Sequence, residues 1–186
     1  PSGPARRALG LDEAQRTVLV LGGSLGSRRL NEVVPAGAAM LSPEDKARIQ
    51  VIHLTGSARA EEQDRVREAY ARAGVAARVE GYREEMGSAY AAADLVIARA
   101  GAVTCAEILA VGRPAVLVPF PGATESHQEA NAKALVSRGA ARVIRDPDFT
   151  PDACAEALRD LPDLRPVMVE RGPDSTAAIL PLLSYS

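Results

Sequence analysis

Short apolar segments alternate with helical patterns along most of the chain. Several of these segments, such as Val18-Leu19-Val20-Leu21 and Ala115-Val116-Leu117-Val118, are continuously apolar rather than alternating in polarity. Continuous apolarity is typical of strands that are covered on both faces, as in a parallel sheet. Strands are predicted at residues 17–22, 49–54, 77–80, 94–98, 114–119 and 141–144.

Helical patterns with recognisable ends lie between the predicted strands. A helix over residues 58–73 has Ser57 as its N-cap and Gly74 just past its C-terminus. The capping box Ser126-His127-Gln128-Glu129 opens a second helix, which stops at Gly139. Further helices are predicted at residues 104–111, after the N-cap Thr150-Pro151, and at residues 174–183. The repeated strand–helix units predict an α/β fold with a doubly wound, parallel, six-stranded sheet.

Composition narrows the classes of protein to consider. The chain has 186 residues, of which 47% are apolar and 25% are charged, and this fits one folded domain. A net charge of −2 and an aromatic content of 3% argue against a nucleic-acid-binding surface. Cys105 and Cys154 are too few for a disulfide framework and indicate a reducing compartment. No apolar run approaches the ~20 residues that a membrane-spanning helix needs.

Residues suited to ligand binding follow the predicted strands. In open α/β sheets the ligand lies beyond the carboxyl ends of the strands. The unusual residues of this chain concentrate at those places, which are Gly22-Gly23-Ser24-Leu25-Gly26-Ser27, His53-Leu54-Thr55-Gly56-Ser57, Gly81-Tyr82-Arg83, Arg99-Ala100-Gly101-Ala102-Val103-Thr104 and residues 119–131. The convergence predicts a binding site at one edge of the sheet.

Residues 22–27 form a glycine-rich turn between a strand and a helix. Such a turn lets backbone N–H groups approach an anion, and Ser24 could add a hydroxyl donor. A plain tight turn also explains the glycines. The spacing matches neither the dinucleotide-binding fingerprint nor the P-loop. The second strand ends in His53-Leu54-Thr55, without the acidic residue that would bind an adenosine ribose, and this argues against NAD.

The segment after the fourth predicted strand repeats this arrangement. Arg99 and Gly101 lead into a helix, and two helix N-termini that face one cleft could hold a diphosphate. Glu107 lies one turn further on, where its carboxylate could accept both hydroxyls of a ribose or compensate the helix dipole. Gln128 and Asn131 share one helix face, where their amides could bind sugar hydroxyls or belong to a polar surface.

Other chemically reactive residues have structural interpretations. Cys105 lies inside a predicted helix without an evident partner, which favours a buried apolar role. Asp146-Pro147-Asp148 has a spacing that binds metal ions elsewhere, but its place in a proline-containing turn before a helix favours a structural role. His53 and His127 share no metal-ligand spacing, and no G-x-S-x-G nucleophile elbow occurs.

Three motifs together resemble the MurG family of bacterial N-acetylglucosaminyltransferases in order and spacing. They are Gly22-Gly23-Ser24-x-Gly26, Arg99-Ala100-Gly101-Ala102-x-Thr104-x-x-Glu107, and Pro119-Phe120-Pro121 followed by His127-Gln128-x-x-Asn131-Ala132. The resemblance runs from about Arg6 to the C-terminus and covers only the donor-binding half of the family. It implies the Rossmann-like half of a two-domain GT-B glycosyltransferase.

The resemblance implies a set of residues that bind UDP-N-acetylglucosamine. Arg6 would reach the donor nucleotide, and Ser24 would bind phosphate. The backbone of Arg83 would read uracil, and its side chain departs from the isoleucine that the family often has. Residues 102–107 would hold the diphosphate and the ribose. The side-chain amides of Gln128 and Asn131, in the third motif, would contact the sugar. The full expected set is Arg6, Gly23, Ser24, Gly26, Arg83, Arg99, Gly101, Ala102, Val103, Thr104, Cys105, Ala106, Glu107, Gln128 and Asn131.

The resemblance also implies a reaction. The full protein would transfer N-acetylglucosamine with inversion onto lipid I and form lipid II for peptidoglycan, with no metal cofactor. It would act at the cytoplasmic, inner face of the cell membrane. This domain would stabilise the charge on the departing diphosphate. The acceptor domain would supply the general base, the lipid I site and the membrane contact.

The boundaries of the chain carry a further expectation. The chain begins at Pro1 rather than Met, which indicates a fragment, a processed form or a trimmed form. Because the resemblance covers only the donor-binding half of the family, it implies that the N-terminal acceptor domain is absent. Residues 1–186 would form the donor-binding domain, with residues 1–16 as a linker remnant and residues 165–186 as a C-terminal tail or helix. Such a fragment should bind the donor without efficient turnover.

Two other hypotheses stay open at this stage. The chain could belong to another GT-B enzyme that uses a UDP-sugar, such as an epimerase or a different glycosyltransferase. It could also be a non-catalytic nucleotide-binding module. Relative affinities for UDP-N-acetylglucosamine, UDP-glucose and NAD separate the three hypotheses.

Overall fold

The computed structural model describes residues 2–23, 25–56, 60–121, 125–139 and 141–160. Strands and helices alternate along them. The strands are β1 (Arg16–Leu21), β2 (Ile49–Leu54), β3 (Ala76–Glu80), β4 (Leu95–Ala98), β5 (Ala115–Leu117) and β6 (Ala141–Val143). The helices are α1 (Gly3–Ala8), α2 (Arg28–Ala39), α3 (Pro43–Arg48), α4 (Ala60–Ala73), α5 (Gly87–Ala92), α6 (Ala102–Val111), α7 (Glu125–Val136) and α8 (Pro151–Arg159), with a 3-10 turn at Asp146–Asp148.

The six strands run parallel in one sheet, in the order β3-β2-β1-β4-β5-β6. β1 lies between β2 and β4, so that Leu21 is opposite Leu54 on one side and Ala98 on the other. The strand order reverses between β1 and β4, and open α/β sheets bind ligands at this kind of position. The predicted fold, a doubly wound, parallel, six-stranded sheet, is confirmed.

The two faces of the sheet explain the continuous apolar segments. In β1, Val18 and Val20 are buried in one layer of the core, and Leu19 and Leu21 are buried in the other. The first layer lies under α2, α4 and α8, and the second lies under α1, α5, α6 and α7. Since successive side chains of a strand point to opposite faces, a strand buried on both faces must be apolar throughout.

Three helices each have one terminus where the sequence predicts it. Thr150 caps α8, because its side-chain oxygen accepts a hydrogen bond from the Ala153 nitrogen at 3.2 Å. Gly112 ends α6 in the left-handed conformation, with a φ of 67°. α4 ends at Ala73, as predicted, whereas its predicted N-cap Ser57 lies outside the described residues.

The predicted start of α7 is wrong. The helix begins at Glu125, so Ser126 lies inside it instead of capping it. The S-x-x-E spacing also occurs inside helices, and for this reason it did not fix the first turn. The helix ends at Val136, and turns continue to Gly139, which has a φ of 68°. The helix predicted at residues 174–183 lies outside the described residues.

The segment expected as a linker remnant contains a short helix that packs on the domain. α1 contacts α5, and the side chain of Arg6 is buried between them and the start of β4. Arg6 Nε donates to the Ala92 carbonyl oxygen at 3.2 Å, and the guanidinium forms an ion pair with Asp94. These contacts make residues 3–8 part of the folded unit. Among the helices described, none is long and apolar enough to cross a bilayer.

Candidate functional site

A cleft of about 560 Å³ opens at the carboxyl edge of the sheet. β1 and β2 contribute their last residues, Leu21 and Leu54, and the segments after β3 and β4 contribute Gly81 and Gly101. The cleft therefore lies over the point where the strand order reverses. Its other wall residues are Gly22, Gly23, Gly56, Tyr82, Arg83, Glu84, Met86, Ala102, Val103, Thr104 and Glu107.

The glycine turn after β1 gives the cleft a wall of bare backbone. Gly22 and Gly23 line the cleft, and Gly23 has a φ of 83°, which favours glycine. A Cβ at Gly22 would lie 2.7 Å from the Ser27 nitrogen, so the turn is too tight for a side chain there. A ligand can therefore approach the main chain closely. Ser24 lies outside the described residues, and its phosphate contact stays a prediction.

Gly26, another expected site residue, serves a different contact. It has a φ of 77°, and a Cβ there would overlap the carbonyl oxygen of Thr55. A Cβ at Gly56 would in turn overlap the backbone of Gly26. The two glycines let the turn after β1 pack against the turn after β2. Gly26 thus shapes the glycine turn from behind and does not line the cleft.

The N-terminus of α6 points its first turn into the cleft. Ala102, Val103 and Thr104 line the cleft, and Gly101 caps the helix without a side-chain hydrogen bond. The Cys105 nitrogen makes the first intrahelical bond, to the Gly101 carbonyl oxygen at 2.9 Å. The amides of residues 102–104 precede that bond, and the first turn holds no acidic side chain. A helix start of this kind is suited to bind an anion.

Glu107 lies on the cleft wall one turn beyond these amides. Its Oε2 accepts a hydrogen bond from the hydroxyl of Tyr90 at 2.8 Å. Burial, together with the charge of Glu107, raises the pKa of Tyr90 far above its ordinary value. The phenol therefore stays protonated and acts as the hydrogen-bond donor to Glu107. This bond fixes the carboxylate beside the amides of α6, where it can accept hydroxyl donors from a ligand.

Cys105 and Ala106, which lie between Thr104 and Glu107 in α6, do not line the cleft. Cys105 is 4% exposed and packs in the core, and burial raises the pKa of its thiol to about 11. A thiol of this kind is protonated at neutral pH and unsuited to nucleophilic attack. Ala106 is exposed on the outer side of α6. The predicted apolar role of Cys105 agrees with this placement.

Arg83 forms the opposite wall of the cleft together with Tyr82 and Glu84. Its Nη2 donates to Glu80 Oε1 at 2.5 Å, and Glu80 also pairs with Arg78. Partial burial opposes ionisation of Glu80, but the hydrogen bonds and charges of the two arginines outweigh burial and lower the pKa of this carboxyl. The Arg83 guanidinium is thereby held at the cleft wall.

The side chain of Arg99 does not reach the cleft, contrary to the expected ligand contact. Its Nε donates to Ser27 Oγ at 3.0 Å, its Nη1 donates to the Val118 carbonyl oxygen at 3.1 Å, and the guanidinium pairs with Asp146. Asp146 also pairs with Arg29 at 3.2 Å. We call Ser27, Arg29, Arg99 and Asp146 the Arg99 cluster. It joins the start of α2 to the ends of β4, β5 and β6, which agrees with the structural role predicted for the Asp146 turn.

Gln128 and Asn131 connect α7 to two strand-end segments and lie outside the cleft wall. Gln128 Oε1 accepts a hydrogen bond from the Phe120 nitrogen at 2.8 Å. Asn131 Nδ2 donates to the Ala100 carbonyl oxygen at 3.1 Å. Both amides therefore position α7 beside the carboxyl edge of the sheet. Arg6, by contrast, lies at the start of β4, at the opposite edge of the sheet, so the structure does not bring it to the cleft.

Sequence reasoning did not identify Glu84, Met86 or Tyr90. Glu84 and Met86 line the cleft, and the hydroxyl of Tyr90 supports Glu107. Tyr82 lines the cleft as part of Gly81-Tyr82-Arg83, one of the segments predicted to bind a ligand. No sequence signal pointed to Tyr90, because only the packing of α5 beside α6 brings it to Glu107. In the described part of the chain, no three His, Cys, Asp or Glu side chains form a group that could hold a metal ion.

Comparison with known proteins defines the class. Residues 17–175 match the Glycosyltransferase family 28 C-terminal domain. The chain belongs to this family. Its fold is that of the Rossmann-like half of a GT-B glycosyltransferase, as the sequence resemblance predicted.

Two curated relatives share one name. A UDP-N-acetylglucosamine--N-acetylmuramyl-(pentapeptide) pyrophosphoryl-undecaprenol N-acetylglucosamine transferase from Granulibacter bethesdensis is 49% identical over 144 residues, which are 77% of this chain and 37% of that protein. The protein of the same name from Thermodesulfovibrio yellowstonii is 39% identical over 166 residues, which are 89% of this chain and 44% of that protein. The chain spans less than half the length of these relatives.

Solved structures give the same classification. The crystal structure of Acinetobacter baumannii MurG superposes with a TM-score of 0.74 and 29% identity, and the match covers 96% of this chain and 52% of that one. The solution structure of ALG13 superposes with a TM-score of 0.57 and 14% identity over 92% of this chain and 98% of that one, and shows the shared fold alone. The predicted resemblance to the MurG family is confirmed.

Proposed function

We propose that this chain is the donor-binding domain of a MurG-type transferase and that its cleft holds UDP-N-acetylglucosamine. The observation that carries the proposal is the meeting, in one cleft, of the glycine turn after β1 and the N-terminus of α6, which has no side-chain cap. Bare backbone beside a helix N-terminus suits a diphosphate. The names of the relatives support this choice of sugar nucleotide.

The diphosphate, the ribose and the uracil of the donor are expected in that order along the cleft, from the N-terminus of α6 to the segment after β3. The diphosphate would lie against the amides of residues 102–104 and the glycine turn, with Ser24 as a further donor. Glu107, which Tyr90 fixes, would accept the ribose hydroxyls. Uracil would lie beside Gly81-Tyr82-Arg83 at the far wall.

Other residues from the expected set have different standing in this proposal. Gln128 and Asn131 would reach the sugar through the amide atoms that their backbone contacts leave. Arg6 and Arg99 are committed to buried ion pairs within the domain, and we do not include them among the donor contacts. Gly26, Cys105 and Ala106 are likewise not included. Gly26 packs against the turn after β2, Cys105 is buried in the core, and Ala106 is exposed on the outer side of α6.

The complete transferase would perform an inverting displacement. A hydroxyl of lipid I attacks the anomeric carbon of the sugar, the bond from that carbon to the diphosphate oxygen breaks, and UDP leaves. Negative charge builds on the diphosphate, and the amides of α6 stabilise it without a metal ion. The general base, the lipid I site and the membrane contact would belong to the other half of the protein. Lipid II for the cell wall would then form at the cytoplasmic face of the membrane.

Calorimetric titration in the presence of EDTA tests this function. The proposal expects UDP-N-acetylglucosamine to bind more tightly than UDP-glucose, and NAD not to bind. Equal affinity for the two UDP-sugars would instead favour another UDP-sugar enzyme, and the loss of binding in EDTA would contradict the metal-free mechanism. The absence of any nucleotide binding would overturn the proposal. The chain alone is expected not to convert lipid I to lipid II.

A further inference from the structure

The glycine turn after β1 rests on the end of β2 at two points. The Gly22 nitrogen donates to the Leu54 carbonyl oxygen at 3.3 Å. Gly26 lies so close to the Thr55 carbonyl oxygen that a Cβ there would overlap it. Since the turn leads directly into α2, the backbone that it shows to the cleft depends on how the start of α2 is held against the end of β2.

Asn31 makes this connection from the first turn of α2. Its backbone nitrogen donates to the Ser27 carbonyl oxygen at 2.9 Å, which closes the first turn of the helix. Its side-chain Nδ2 donates to the Thr55 carbonyl oxygen at 3.4 Å and to Glu62 Oε1 at 3.3 Å. Because Nδ2 faces these two acceptors, the amide oxygen of Asn31 faces the other way, towards His53.

His53 holds that amide oxygen from the core. The ring is fully buried, with Nε2 3.0 Å from Asn31 Oδ1 and Nδ1 2.9 Å from the Tyr70 hydroxyl. An amide oxygen only accepts, so Nε2 carries the proton and donates the hydrogen bond. Burial lowers the pKa of His53 to about 3, so the ring is neutral and Nδ1 accepts from Tyr70. The three side chains therefore have a single hydrogen-bonding arrangement.

A polar residue at this place in β2 needs a reason other than core packing. Val51, two residues earlier on the same face, is fully buried in the apolar core. Buried polar groups are costly unless every bond is made, and a fully bonded network fixes geometry. The geometry that His53 fixes is the placement of the first turn of α2 over the end of β2.

We propose that His53 is a positioning residue for the donor diphosphate: through Asn31 it holds the start of α2, and with it the glycine turn, where their main chain meets the phosphates. The inference rests on the proposed function and adds to it two buried residues outside the cleft wall. The effect should fall on the phosphates alone, because the uridine contacts proposed at Glu107 and after β3 do not involve the glycine turn.

Binding of UDP and of uridine to matched variants tests this role. His53→Leu removes the donor to Asn31, whereas His53→Gln keeps a side-chain N–H that can take the place of Nε2. Val51→Ala is the control for a general loss of stability in β2. We expect His53→Leu to lower the ratio of UDP affinity to uridine affinity about tenfold, and the other two variants to keep it.

Asn31→Leu breaks the same connection from the side of α2. It should lower the ratio as much as His53→Leu does, and the double variant should lose no more than either single variant, because the two residues act in one chain of bonds. Losses that add up would contradict a path from His53 through Asn31.

The outcomes separate the two proposals. An unchanged ratio in His53→Leu, or an equal fall in Val51→Ala, overturns the positioning role and leaves the donor-binding function standing. If the wild type binds UDP no more tightly than uridine, or binds neither, both proposals fail together.

A second measurement uses the wild-type protein and does not depend on the folding of a core variant. Nitrogen–proton spectra of imidazole rings distinguish the two neutral tautomers, and we expect His53 to be protonated at Nε2. The chain has two histidines, so the signal that remains in His127→Gln is that of His53. UDP should shift this Nε2–H signal and uridine should not. A proton on Nδ1, or an equal response to both ligands, would overturn the inference.

Discussion

The cleft and the Arg99 cluster lie side by side at the same edge of the sheet and use their polar groups in opposite ways. In the cluster, Arg99 is bonded to Ser27, Asp146 and carbonyl oxygens after β5. In the cleft, the amides of residues 102–104 precede the first bond of their helix, which the Cys105 nitrogen makes. The cluster holds the edge together, and the cleft leaves donors for a ligand.

We expect the largest effect from removing the acidic residue of the Arg99 cluster. Asp146→Ala leaves a buried arginine unpaired, and we expect a loss of about 3 kcal/mol in the free energy of unfolding, measured with urea. The control is Asp148→Ala, since Asp148 pairs with Arg145 at an exposed position two residues away. It should cost less than about 0.5 kcal/mol. Similar losses of unfolding free energy in both variants would contradict a stabilising role for the ion pair between Asp146 and Arg99.

A second group of polar side chains that hydrogen-bond to one another links β2 to α2 and α4. This group can be tested through the dependence of stability on pH. His53 is fully buried, with Nδ1 2.9 Å from the Tyr70 hydroxyl and Nε2 3.0 Å from Asn31 Oδ1. Burial lowers the pKa of His53 from 6.5 to about 3. The unfolded chain therefore binds a proton near pH 6.5 while the folded chain does not, so the stability present above that pH is lost as the pH falls towards 3.

The expected size of this effect is about 2 kcal/mol of unfolding free energy between pH 7 and pH 5. Urea unfolding at the two pH values measures it for the wild type, for His53→Gln and for His127→Gln. His53→Gln should lose this part of the pH dependence. His127 is exposed on α7, so His127→Gln should keep the wild-type dependence. An unchanged pH dependence in His53→Gln would contradict a neutral, buried His53.

The same contrast separates what sequence could and could not predict. The strands and their parallel direction follow from continuous apolar runs, and the predicted ligand edge follows from the glycines after them. α1, α3 and α5 were missed because helices of six residues are too short to show a period. The use of Arg99 depends on Asp146, which lies 47 residues away. A motif beside a glycine cannot show whether its arginine turns towards the ligand or into the fold.

Within the cleft, Glu107→Ala tests whether this carboxylate binds the ligand. Removing the carboxylate should weaken binding of UDP-N-acetylglucosamine by about 1–2 kcal/mol, because the ribose hydroxyls lose their acceptor. Calorimetry measures this change. Tyr90→Phe keeps the carboxylate but frees it to move, so its effect on the dissociation constant should be smaller. An unchanged affinity in Glu107→Ala would contradict a contact between Glu107 and the ribose.

The smallest expected effect separates two serines of one turn. Ser24→Ala should weaken UDP by about 1 kcal/mol and leave uridine unchanged, because only UDP carries phosphates for this hydroxyl. Ser27 belongs to the Arg99 cluster, where its Oγ accepts from Arg99 Nε and from the Leu30 nitrogen as the N-cap of α2. Ser27→Ala should therefore lower stability by about 1 kcal/mol and change UDP and uridine affinity in equal proportion. If Ser24→Ala also weakened both ligands equally, its hydroxyl would support the turn and would not bind the phosphate.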